Sequence, residues 1–418
     1  MLQKLTKGIM FLATMVAVPY TVALLSNILY GWPARKNKFK RALSPRKVLA
    51  LNYTCLQLVY RNFKYAPLWL RWTKFYRSLD PKFVRKNLAY GSHEQTMDLY
   101  LPQGVDLSQP RPVVVFIYGG AWSNGNKKMY GLLCSEIANK LRSLVCCPNY
   151  SLYPQGYVDD MVQDVVDCVS WIHQNVADYG GDKSVDSVNG KDRGVLRDSR
   201  QLDSELMGVV KDDLTDQSVL KDQKEVDSIE ESLIVVKAGE GDEVVDDTIE
   251  EINSDDSSVE TVLPNDAEKS QSLAELGEKI KAVIGLAGVY DISDHFQHEM
   301  SRGIEDVSRM TRAMYGEDHF DRFSPSILCQ NIVNGSCLPK FVLVHGTEDH
   351  VVPLTSTTKL AEVLTDKFAD ITVRILPGCD HYEVCLDLME PNRKCYGSVM
   401  GIIMETATKA LKKIIINI

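Results

Sequence analysis

Residues 340–353 read KFVLVHGTEDHVVP, and residues 371–384 read ITVRILPGCDHYEV. Each opens on a short apolar run and closes on a glycine-containing turn that carries an acidic or imidazole side chain. An apolar run of this length, bounded by turn residues, is the pattern of a strand buried on both faces of a parallel sheet. Open α/β sheets build their sites on the loops at the carboxyl ends of such strands. Asp349 and His381 occupy that position on successive loops, the acid first and the histidine last.

The same alternation extends outward in both directions. Residues 355–370, TSTTKLAEVLTDKFAD, are predicted to form the helix between these two strands. Upstream, QTMDLYLP (95–102) reads as a period-2 strand, PVVVFIYGG (112–120) as a fully buried one, and SLVCCPNY (143–150) and KAVIGLAG (281–288) as two more. Val158, Met161, Val162, Val165, Val169, Ile172 and Val176 fall on one helical stripe, with Asp159, Asp160, Asp164 and Asp167 largely off it. Strands alternating with helices predict an α/β fold, a mostly parallel sheet covered by helices on both faces.

At the end of PVVVFIYGG the chain continues Tyr118-Gly119-Gly120-Ala121-Trp122. Two consecutive glycines let backbone amides turn away from the strand, which suits an oxyanion hole made by Gly119, Gly120 and Ala121. With Asp349 and His381 this is the chain order of acid and base in an α/β-hydrolase triad.

These segments, with NYSLYPQGYVDDMVQDVVDCVSWIHQNVADYGGDK (149–183) and FSPSI (323–327), resemble the α/β-hydrolase carboxylesterases of the hormone-sensitive-lipase-like group. Within that group they look like the isoprenylcysteine methylesterases. The resemblance covers about residues 85–183 and 280–412. It implies Asp349 and His381 as triad members, Gly119, Gly120 and Ala121 as oxyanion donors, and Trp122 as a pocket wall. It also implies a lipophilic ester or prenylated-protein substrate, no cofactor, no metal, and residence in the endoplasmic reticulum or Golgi membrane. Tyr118 replaces the histidine of the family's HGG pattern, but the donors there are backbone amides.

The same family places a G-x-S-x-G nucleophile elbow shortly after GGDK. None of the 26 glycines here has serine two positions on, and only Asp192, in Gly190-Lys191-Asp192-Arg193-Gly194, completes an elbow-like pattern. SVDSVN (184–189) is a poor central strand, and Lys191 and Arg193 are bulky for a tight turn. A second alignment puts 233–236 in the strand and Gly239 where serine belongs. The chain therefore reads as a carboxylic ester hydrolase relative without its nucleophile, as an inactive pseudohydrolase or binding protein, or as a splice form lacking the elbow exon.

Charge divides the chain. Residues 184–280 hold 27 acidic and 10 basic residues and no aromatic, Cys or His, against −9 for the whole chain, so the remainder is net positive. Low hydrophobicity with high charge predicts a disordered acidic insert, open to a protein partner. No nucleic-acid motif accompanies the basic residues.

Residues 8–34 contain no charge over 27 positions, enough to span a bilayer, and basic residues follow from Arg35 onward. The positive-inside rule then puts the bulk of the chain in the cytoplasm. The expected organisation is an anchor with basic flank (1–47), an amphipathic membrane-proximal segment (48–84), two hydrolase parts (85–183 and 281–418) and the insert (184–280). The ten cysteines show no metal-ligand spacing and are expected as buried thiols.

Overall fold

The computed structural model describes residues 43–181 apart from Ser92 and Glu94, residues 276–416, and single positions between 10 and 40. Asp192, residues 233–236, Gly239 and the acidic insert up to residue 275 lie outside the described residues, as does most of the stretch 8–34. Among the described residues no helix is long and apolar enough to cross a membrane.

Helix α1 (Pro45–Ser78) opens with a proline at its first turn, where the missing N–H leaves nothing unpaired. It buries Val48, Leu51, Tyr65, Leu68 and Trp72 on its inner side. Strands β1 (Val84–Tyr90) and β2 (Gln95–Tyr100) form an antiparallel pair with a register shift between Arg85 and Leu88. β3 (Val113–Val115), helix α2 (Gly131–Leu141), β4 (Leu144–Pro148) and helix α3 (Val158–Asn175) follow. The second part holds β5 (Ala282–Leu286), α4 (Ile292–Arg302), β6 (Lys340–Gly346), α5 (Leu354–Asp366), β7 (Ile371–Leu376) and α6 (Tyr396–Ile416), with one-turn helices between them.

The strands form two sheets, in the orders β1-β2-β4-β3 and β5-β6-β7. β3 runs parallel to β4, and β5, β6 and β7 are parallel throughout, so the architecture is α/β and mostly parallel. Side chains alternate between faces as the pleat requires. On β4, Leu144 and Cys146 pack with Cys168 and Ile172 of α3, while Val145 and Cys147 pack with α2. On β6, Phe341 and Leu343 pack with Leu360 and Leu364 of α5, while Val342 and Val344 join Val399 and Ile403 of α6. The α2–α6 side forms one apolar cluster that includes residues of both sheets.

Three sequence expectations change. β1 was not foreseen, because its charged Arg85 and Lys86 disguise an edge strand. β3 is only half-buried, not fully buried. Among the described residues it is paired along one flank, and its other flank carries only a parallel bridge between Arg111 and Gly181, where the Arg111 amide donates to the Gly180 carbonyl at 3.0 Å. Asp164, placed off the apolar stripe of α3, is buried because its carboxylate accepts from the Ser151 amide at 2.6 Å and meets His93 Nδ1 at 2.8 Å.

Candidate active site

The loop after β6 folds around its own acid. Asp349 Oδ1 accepts from the Val351 and Val352 amides, each at 2.8 Å, which pins the carboxylate with its second oxygen free to engage His381. Asp349 Oδ2 lies 2.8 Å from His381 Nδ1, with the carboxylate 1% and the imidazole 25% exposed. Burial works against the carboxylate charge. The His381 hydrogen bond and charge, with the two amides, outweigh it and hold Asp349 below the usual carboxylate range. An ionised carboxylate only accepts, so Nδ1 carries the proton and Nε2 is left as the base.

The two loops are locked to each other. A Cβ on Gly346 would meet the Cys379 carbonyl oxygen at 2.1 Å, so only glycine permits this approach. The Gly378 amide donates to Thr347 Oγ1 at 2.8 Å, and the Glu348 amide to the Cys379 carbonyl at 3.0 Å. Asp380 and Glu383 form a reciprocal cap around His381. Asp380 Oδ1 accepts from the Tyr382 and Glu383 amides, and Glu383 Oε2 accepts from the Asp380 amide. A disulfide between Cys379 and Cys395 ties this loop to the start of α6. It corrects the expectation of reduced thiols at that pair: the sequence holds no short-range Cys pattern, and the fold supplies the proximity. Cys379, Glu383 and Cys395 bring three donor atoms within 4.8 Å, but the two sulfurs are bonded to each other.

The glycine turn after β3 is held in an uncommon conformation. Ala121 and Trp122 both take positive φ, 49° and 58°, each costing about 1–2 kcal/mol for an L-residue. The loop is over-determined. Ser123 and Asn124 amides donate to the Gly120 carbonyl at 3.2 and 2.9 Å, and the Tyr153 amide to the Trp122 carbonyl at 2.9 Å. Among the described residues the amides of Gly119, Gly120 and Ala121 have no protein acceptor, as an oxyanion hole requires. Behind the turn, Tyr118 hydroxyl and the Lys127 amide both donate to Asn149 Oδ1, and buried Lys127 pairs with buried Asp98 at 2.9 Å.

Two histidines that the sequence did not single out complete the surroundings. His345, on β6 and fully buried, has Nε2 3.2 Å from the Val352 carbonyl and 3.4 Å from Asp349, and Nδ1 2.7 Å from Thr357 Oγ1. A carbonyl partner requires a proton on Nε2, so Nδ1 accepts from the threonine. Burial holds this ring below the ordinary histidine value, against the pull of Asp349. His295 on α4 has its ring centre 6.2 Å from that of Trp122. Burial, then the charges of His298 and His381, push it down to about 4. Its Nδ1 is buried without a hydrogen-bond partner among the described residues. The buried spacing Ile292, His295, Phe296, Glu299 is the helical signal that would have found it.

The site thus gathers Asp349 and His381 into a hydrogen-bonded pair. Trp122, at the end of the glycine turn, lies beside His295.

Comparison with known proteins finds partial matches. The BD-FAE family matches residues 97–276 and the prolyl oligopeptidase family residues 271–393. A probable isoprenylcysteine alpha-carbonyl methylesterase of Arabidopsis thaliana is 26% identical over 341 residues, 79% of this chain and 58% of the relative. Esterase LipC of Mycobacterium tuberculosis is 21% identical over 301 residues, 71% of this chain and 59% of the relative. The esterase of Pyrobaculum calidifontis superposes with a TM-score of 0.49 at 14% identity, covering 88% of this chain and 98% of that one. The chain spans a little over half the length of the Arabidopsis relative. The chain is thus similar in sequence to isoprenylcysteine methylesterases and to other esterases, and it matches the two family models each over part of its length.

Proposed function

We propose that this chain takes a lipophilic carboxylic ester, of the prenylcysteine methyl ester class, at the Asp349–His381 site and does so at a membrane. The 2.8 Å contact between Asp349 and His381 Nδ1 carries the reading, because it leaves Nε2 as an oriented base. The amides of Gly119, Gly120 and Ala121 supply donors for a developing oxyanion.

In ester hydrolases of this type the base acts on an elbow serine, and the 418 residues contain no G-x-S-x-G. His381 then has water to activate. Loss of the serine from a triad costs about 10⁶ in turnover and leaves about 10³–10⁴ over the uncatalysed rate. The expected behaviour is ester binding with slow hydrolysis. Incubation of the purified full chain with a fluorophosphonate should label no serine, and slow hydrolysis of a prenylcysteine methyl ester should fall in His381→Ala to the level that the oxyanion donors and binding sustain without a base. A labelled serine would overturn the water route; hydrolysis indifferent to His381→Ala would overturn the site. Ester binding without any hydrolysis would make the chain a binding protein on a hydrolase frame.

The uncharged stretch 8–34 supports an anchor in the endoplasmic reticulum or Golgi membrane, and the positions described between 10 and 28 are helical. The basic flank supports a cytoplasmic hydrolase domain, and the acidic composition of residues 184–280 supports a protein partner for them. The disulfide favours a second reading, a lumenal domain, because disulfides persist in oxidising compartments. Exposed Asn334, in the sequon Asn334-Gly335-Ser336, separates the two. A cytoplasmic domain leaves it without a glycan, and a glycosidase-sensitive mass shift places the domain in the lumen.

A further inference from the structure

Helix α1 has two apolar faces. The inner one, described above, packs on the hydrolase core. The outer one exposes Leu49 (66%), Tyr53 (64%), Leu56 (68%), Tyr60 (72%), Phe63 (82%) and Leu70 (75%). These recur at intervals of three, four and seven residues, so they form a single stripe along the helix. Scattered exposed apolar residues are ordinary on a protein surface, but a contiguous aromatic and aliphatic stripe marks an interaction face.

The charge of the helix selects the partner. Residues 45–78 hold seven Lys and Arg and no Asp or Glu. Exposed Arg46 stands at one end of the stripe, and exposed Lys74 and Arg77 at the other. Tyrosine and phenylalanine on one side with basic residues bracketing them is the composition of a helix lying in a lipid headgroup layer. In the chain it follows the 27 uncharged residues 8–34 by about ten residues, a connection too short to carry α1 far from where that stretch resides.

We propose that the outer face of α1 lies on a lipid surface carrying anionic headgroups, a proposal that rests on the membrane location given above. The stripe enters the boundary between headgroups and acyl chains, and the basic ends meet lipid phosphates. The inner side of α1 touches the loop that bears the base. Lys64 pairs with Glu383 at 2.8 Å, the Arg61 guanidinium lies 3.9 Å from the centre of the Tyr382 ring, and Arg71 pairs with Glu390 at 2.8 Å. The His381 loop is therefore separated from lipid by one helix thickness, about 10 Å. A lipophilic ester can pass from the bilayer to the site without crossing bulk water.

The test uses the full chain in vesicles of phosphatidylcholine with phosphatidylserine. A bimane fluorophore is placed at Phe63→Cys or Leu56→Cys in a Cys337→Ser background, and native exposed Cys337 carries the label in the control. Expected is strong quenching of positions 56 and 63 by nitroxide lipids at a depth of about 5–10 Å, with Cys337 unquenched. Emission at 56 and 63 that stays water-like overturns the proposal. So does emission that is shielded in detergent, unaffected by nitroxide lipids and lost on dilution, which would show a second copy on the stripe. So does shielding that disappears when residues 8–34 are deleted while the protein stays on the vesicle, which would show that stretch covering it. Resistance to alkaline carbonate extraction reads the anchor separately, so either idea can fail while the other stands.

Discussion

A methyl group on Gly120 would sit 1.7 Å from the Asn124 carbonyl oxygen, whereas one on Gly119 would meet nothing within 4 Å. Gly120→Ala must therefore reopen the turn that holds the free amides. It should lower stability by about 1–3 kcal/mol in denaturant unfolding, with Gly119→Ala close to the parent. Neither value was readable from Gly-Gly alone: the sequence marks a turn, and only the returning Asn124 carbonyl distinguishes the two glycines. Glu299 offers a second case. Burial, against the Ser308 hydrogen bond, pushes its carboxyl up to about 7 from 4.5. A carboxyl raised on folding contributes most below its unfolded value, and that contribution is lost as pH rises through the folded one. Glu299→Gln should therefore gain on the parent between about pH 4.5 and 7 and hold a constant advantage above, as read from unfolding midpoints across that range.

At the scale of elements, the strands that carry the acid and base were legible because β6 and β7 are mostly apolar runs ending in turn residues. The cap around His381 went unread, although Asp380 and Glu383 stand at the three-residue spacing of a reciprocal cap. β1 was hidden by its charged edge, and His345 by lying inside the apolar run it interrupts. The bond between Cys379 and Cys395 depends on where α6 begins, which no local pattern encodes. It closes a loop with a sequence separation of 16 around His381. The chain-entropy account gives about 3 kcal/mol for such a loop. Cys379→Ser with Cys395→Ser should lose about that much in denaturant unfolding, and the parent in reductant should lose the same. A loss confined to the reduced parent would point to another pair.

For the whole molecule, alternation of strand and helix announced an α/β architecture, and the sharp change in charge announced the break near residue 183. How the two parts meet was not legible, because it depends on contacts between segments far apart in the chain. Val145, Cys147 and Tyr118 share one cluster with Val342, Val344 and Ala287, so the parts before and after the break bury one face in common. They should unfold as one unit. All five tryptophans precede residue 182, so their fluorescence reports the first part, whereas far-ultraviolet circular dichroism reports both. Coincident midpoints are expected, and separated ones would show that each part melts alone.

The sulfur bridge across the base-bearing loop also makes that loop a ring. Lys394 is exposed just inside it, next to Cys395. A tryptic cut after Lys394 opens the backbone without releasing a fragment. The nicked chain should run as one band until a thiol is added and as two afterwards, with His381 on the larger piece throughout.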